Sequence, residues 1–170
     1  MKQTGNAIHI DVHVKFSGKG IDKELLKDGI ERFWTTKLDE YTVITRVIEP
    51  RASRRGLLNI YIKDEPGISK VSYTRSGWNG VNVRSVTLYP AYPGYPAYTD
   101  VELMRLSAHE GGHVFGLIGN AKSGGEDPRD TDTIMGTGMW KKDDEGRYIN
   151  NVTVVNIEKM LAAQITGIRQ

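Results

Sequence analysis

Ile8, Ile10, Val12, Val14 and Phe16 alternate with His9, Asp11, His13 and Lys15, and this period of two predicts a half-buried strand. Past the turn Ser17-Gly-Lys-Gly20 the period lengthens. Ile21, Leu25, Leu26, Ile30, Phe33 and Trp34 recur at helical spacing and predict an amphipathic helix over 22–36. Residues 41–48 are rich in β-branched side chains and read as a strand closed by Pro50, and a further strand is expected over 56–62. The turn Asp64-Glu-Pro-Gly67 follows, with Pro fixing φ and Gly permitting a positive one. Strand pattern returns over 69–74 and 81–89, helical pattern over 100–117, and Val152, Val155, Ile157, Met160, Leu161 and Ile165 outline a last helix.

Two connections carry their own signals. Ser76-Gly-Trp-Asn-Gly80 joins the two later strands and places Trp78 at a tip, as a lid over a cleft or an anchor to the core. Tyrosines and prolines each recur every third residue from Tyr89 to Tyr98, which suits extended polyproline-type backbone. That tract leads straight into the 100–117 helix, as one wall of a cleft or as a stiff connector.

The 100–117 helix holds the candidate chemistry. Thr99-Asp-Val-Glu102 has the form of a capping box at its start. His109, Glu110 and His113 then spell H-E-x-x-H, with the two histidines one above the other on the same helix face. Such a pair suits one zinc ion, bound through neutral imidazole nitrogens, and Glu110 is placed to take a proton from an activated water. Gly111 and Gly112 cost a helix roughly 1 kcal/mol each relative to Ala, so their presence predicts that something packs close against this backbone. His9, Asp11 and His13 also form a row at i, i+2 and i+4. Such a row is more often the wet face of a strand than a metal site.

His109-Glu-x-x-His113-x-x-Gly116, followed by Ile134-Met135-Gly136, resembles the metzincin clan of zinc metallopeptidases. The resemblance implies that Gly116 lets the chain turn sharply after the helix and that Met135 forms a floor beneath the metal. The clan's third ligand would fall on Gly119, which has no side chain, so another residue must serve. Asn120 and Asp127 are equal first choices. Asp130 and Asp132 lie in the same loop, and Glu158 would be contributed from the last helix. The acidic cluster also reads as a solvated loop or a calcium site. The compact size and the Gly116-Leu-x-Gly-Asn120 variant after the histidines further resemble metallopeptidase domains of bacterial polymorphic toxins, which implies delivery by a larger protein and a cognate immunity protein.

Composition narrows the reading. The 170 residues suit one domain spanning 1–170, with 38% hydrophobic and 26% charged residues as in ordinary folded proteins. A net charge of +2 without a Lys/Arg cluster interleaved with aromatics argues against a nucleic-acid partner. The absence of cysteine excludes disulfides and thiolate ligands. The first residues lack the apolar core of a signal peptide, and no run is long enough to cross a membrane. The expectation is a cytosolic protein or a domain of a larger exported chain, with no membrane partner. The order of elements, like that of the metzincin domain, predicts an α+β fold: a twisted mixed sheet, two long helices on one face, and a C-terminal helix. A protein or peptide substrate would lie along an edge strand, expected within 81–89, and zinc would serve its hydrolysis.

Overall fold

A computed structural model describes residues 1–50, 57–76, 80–117, 133–149 and 151–168 of the chain. Over these residues the fold is α+β: a mixed seven-stranded sheet with three α-helices. The strands are β1 (Lys2–Thr4), β2 (Ala7–Gly18), β3 (Thr36–Leu38), β4 (Tyr41–Ile48), β5 (Leu58–Ile62), β6 (Lys70–Ser76) and β7 (Gly80–Leu88). Their order is β3-β4-β2-β5-β7-β6, with β1 added to β2. β2 is the spine. It pairs parallel with β4 over its first half and parallel with β5 over its second, while β5 continues parallel to β7. β1, β3 and β6 are antiparallel to their neighbours.

The alternation in β2 has the consequence the sequence predicts. Ile8, Ile10, Val12 and Val14 are buried, whereas His9, Asp11 and Lys15 face out. The buried face continues through Val43, Val47, Ile60, Val86 and Leu88 and is covered by α1 (Lys23–Trp34) and α2 (Asp100–Val114), which pack on each other. Asp22 caps α1 by accepting from the Glu24 N–H at 3.0 Å. The capping box of α2 is complete: the Glu102 N–H donates to Thr99 Oγ1, and the Thr99 N–H donates to Glu102 Oε2 at 2.8 Å. A 3₁₀ turn (Thr137–Trp140) and α3 (Val154–Ile168) complete the chain. Among the described residues no helix is long and apolar enough to cross a membrane.

Several expectations change. The 81–89 strand does not form an edge: β7 lies between β5 and β6, and β6 is the outer strand. Since β7 pairs parallel with β5, its antiparallel partner is left on the outside. β1 and β3 carry no apolar alternation, being short and mostly exposed, and periodicity does not reveal them. α1 stops at Trp34, two residues before the predicted end, because Thr36 already pairs with Val43. The tyrosine–proline tract is a closed loop, not an extended polyproline segment. The Tyr98 N–H donates back to the Pro90 carbonyl at 2.8 Å, Ala91 bridges Ala97, and Gly94 has φ of 82°. Trp78 lies outside the described residues.

Candidate active site

His109 and His113 stand on one face of α2 with their rings edge to face, centroids 4.7 Å apart. Their Nε2 atoms are 3.2 Å apart, while each Nδ1 meets a backbone carbonyl: His109 the Ile134 oxygen at 2.8 Å, His113 the Leu117 oxygen at 2.7 Å. A carbonyl only accepts, so in the neutral rings each Nδ1 carries the proton and each Nε2 presents its lone pair. Two lone pairs aimed at one another repel. A cation between them makes both contacts attractive, and nitrogens on a tetrahedral zinc stand roughly 3.3 Å apart. The imidazole pair therefore fits two positions of a zinc site. Outer hydrogen bonds from the far ring nitrogen are what such ligands need to hold tautomer and orientation.

Both supporting carbonyls arise from local sequence. α2 ends in a Schellman motif: the Leu117 N–H donates to the Gly112 carbonyl and the Gly116 N–H to the His113 carbonyl, each at 3.1 Å. This requires Gly116 at φ of 93°, the turn its glycine predicts, and it shortens the helix relative to the expected 117. The same turn carries the Leu117 carbonyl back to His113. Ile134 belongs to the turn over residues 133–136, called the methionine turn after Met135, where the Met135 N–H donates to Thr133 Oγ1 at 3.1 Å and the Gly136 N–H to the Thr133 carbonyl at 3.2 Å. Buried Asn156 joins this turn to the start of α3. Its Nδ2 donates to Thr133 Oγ1 at 3.4 Å, and its Oδ1 accepts from the Thr153 N–H at 3.0 Å.

The helix glycines are explained by what lies against them. A Cβ on Gly112 would collide with Met135 Sδ and with Trp34 of α1, and one on Gly111 would press on Ile30 at 3.3 Å. The close neighbours are thus α1 and the methionine turn. Trp34 is fully buried, donates from Nε1 to the Ala108 carbonyl at 2.8 Å, and packs edge-on against Phe115 at 5.0 Å.

Glu110 is buried, and its Oε2 has no hydrogen-bond partner among the described residues. It borders an internal space of about 10 Å³ shared with Val12, Leu26, Leu58, Ile60 and Val86, room for about one water. Burial pushes its carboxyl up to about 8. His109 moves the other way, to about 4, because burial disfavours its charged form and His113 repels it, against the raising effect of the Ile134 bond. The ring is neutral at neutral pH, the state a metal ligand requires. A buried carboxyl oxygen with no hydrogen-bond partner among the described residues, next in sequence to the histidine pair, is costly as structure.

Among the described residues no third His, Cys, Asp or Glu joins this pair. Asn120, Asp127, Asp130 and Asp132 lie outside the described residues. Glu158 does not belong to the site: it is an exposed residue of α3. The row His9, Asp11, His13 forms no metal cluster either. Sequence reasoning finds His109, Glu110, His113, Gly116 and Met135. It misses the Ile134 and Leu117 carbonyls, which have no side-chain signature, and Trp34, whose link to the site is signalled only by Gly111-Gly112. Compared with models of known protein families and with the sequences of curated proteins, the chain matches none.

Proposed function

We propose that the chain is a zinc-dependent endopeptidase of the metzincin type. The observation that carries this reading is the convergence of the His109 and His113 Nε2 atoms at 3.2 Å with both Nδ1 atoms committed to carbonyls. The order of elements, the turn at Gly116 and the packing of Met135 under Gly112 support the clan assignment. A zinc ion, when bound, supplies polarisation of the scissile carbonyl and a lowered pKa for water. His109 and His113 hold it, together with a third ligand for which Asn120 and Asp127 are the first candidates. Glu110, whose carboxyl burial holds in the neutral form, would be ionised once a cation beside it offsets that burial, and it would then accept a proton from the attacking water and return it to the leaving amine. The substrate is an extended polypeptide added along the outer strand β6, beside which α2 packs.

The test is the zinc content of the purified protein and of Glu110→Gln, with casein cleavage followed for each. Near-stoichiometric zinc in both, with cleavage reduced about 10²–10⁴-fold only in Glu110→Gln, is the expected outcome. Loss of zinc from Asn120→Ala or Asp127→Ala identifies the third ligand. A parent protein that takes up no zinc after reconstitution overturns the peptidase and favours a catalytically inactive peptide-binding domain.

A further inference from the structure

α2 carries a buried cation one turn before its first histidine. Arg105 is only 2% exposed, and its guanidinium lies between the rings of Phe33 (5.4 Å) and Tyr148 (4.7 Å). Nε and Nη2 both donate to the Met139 carbonyl, at 2.9 and 2.6 Å, and Nη1 reaches Asn151 Oδ1 at 3.5 Å. Taking a guanidinium out of water is costly unless its donors are satisfied, so the position demands an account.

The two groups it grips flank the methionine turn. Met139 ends that turn's forward side, and the Asn151 carbonyl accepts from the Ile134 N–H at 3.0 Å. The Ile134 carbonyl, in turn, accepts from His109 Nδ1. Arg105 and His109 are four residues apart, hence on the same helix face, so α2 holds the turn at two neighbouring points. A third point lies one turn earlier, where the Tyr148 hydroxyl donates to Glu102 Oε1 at 2.6 Å. That anchor has no bond to Ile134 or to its partners among the described contacts.

We propose that Arg105 is a positioning residue for the metal ligand His109. Through Met139 and Asn151 it sets the distance between α2 and the Ile134 carbonyl, and that carbonyl fixes the tautomer and tilt of the His109 ring. The guanidinium suits the task because its planar fork places two donors on one oxygen and a third on a neighbour, which a lysine ammonium does not reproduce. The inference rests on the zinc reading above.

The experiment measures zinc affinity by competition with a chromogenic chelator, and the absorption spectrum of the cobalt-substituted protein, for the parent, Arg105→Lys, Tyr148→Phe and His109→Ala. The expected result is about 10–100-fold weaker zinc binding and an altered cobalt spectrum in Arg105→Lys, with Tyr148→Phe matching the parent. Parent-like affinity and spectrum in Arg105→Lys overturn the proposal. So does an equal loss in Tyr148→Phe, since that would mark general loosening of the segment. If Arg105→Lys does not fold, Asn151→Ala at an exposed position carries the test: zinc affinity weakened severalfold supports the coupling, and unchanged affinity overturns it. Failure of the zinc reading looks different, because the parent and His109→Ala would then bind zinc equally.

Discussion

Gly112 carries more of the site than its lack of a side chain suggests. Its hydrogen occupies the only space left between the helix backbone, Met135 and Trp34. Alanine there gains roughly 1 kcal/mol of helix propensity and loses more to the collision, since both neighbours are buried and cannot retreat far. Gly112→Ala is expected to destabilise the protein by about 1–3 kcal/mol. Gly111→Ala meets Ile30 Cγ1 at 3.3 Å and otherwise only ordinary contacts, so a shift of a few tenths of an ångström accommodates it and it should be near neutral or slightly stabilising. Urea denaturation of the two variants decides it: equal midpoints would show that Met135 does not press on the helix.

At the scale of elements, α2 is the member to which the rest of the site is fastened. Its first turn holds Tyr148 through Glu102. Burial tends to raise the Glu102 carboxyl, but hydrogen bonds from Tyr148 and Thr99 outweigh it and hold the group below its ordinary value. A carboxylate with a depressed folded pKa contributes stability that is present above its unfolded value of about 4.3 and is lost as pH falls through the folded value. Tyr148→Phe keeps the ring over Arg105 and removes the hydroxyl. It should be less stable than the parent above about pH 5, with the gap narrowing towards about pH 3. Urea midpoints across this range test it, and a gap that does not change with pH sinks the assignment. The start of the helix was legible in its capping box, whereas its end was not: the turn at Gly116 stops it at Val114 and not at the expected 117. The Tyr89–Tyr98 loop was not legible, because prolines report on φ and do not reveal that Tyr98 returns to Pro90.

For the whole molecule, the histidine pair proposed to hold zinc links two segments far apart in sequence, since His109 lies on α2 and its supporting carbonyl on the methionine turn. An ion bound only by the folded state stabilises by about 4 kcal/mol at a thousandfold excess over its Kd. For a chain of this size that corresponds to a Tm change on the order of 10 °C. A chelator should therefore lower the Tm of the parent and leave His109→Ala unmoved; an equal shift in both would show that the metal binds elsewhere. Periodicity in β2 and α1, which each bury one face, together with the capping box of α2, was enough to read the α+β class, although α2 is buried all round over residues 105–112. Strand order was not legible, since an apolar alternation reveals which side of a strand is buried and not which neighbour lies beside it.

The division of β2 between two partners has a mechanical side. Residues 7–13 are bonded to β4 and residues 14–18 to β5, so among the described residues no other strand spans the joint between the two halves of the sheet. Tension applied along β2 is carried first by one set of bonds and then by the other, like a lap joint with two overlapping plates. A cut or a proline near Val12–His13 would part the sheet along a seam, whereas the same change in β1 would only trim its border.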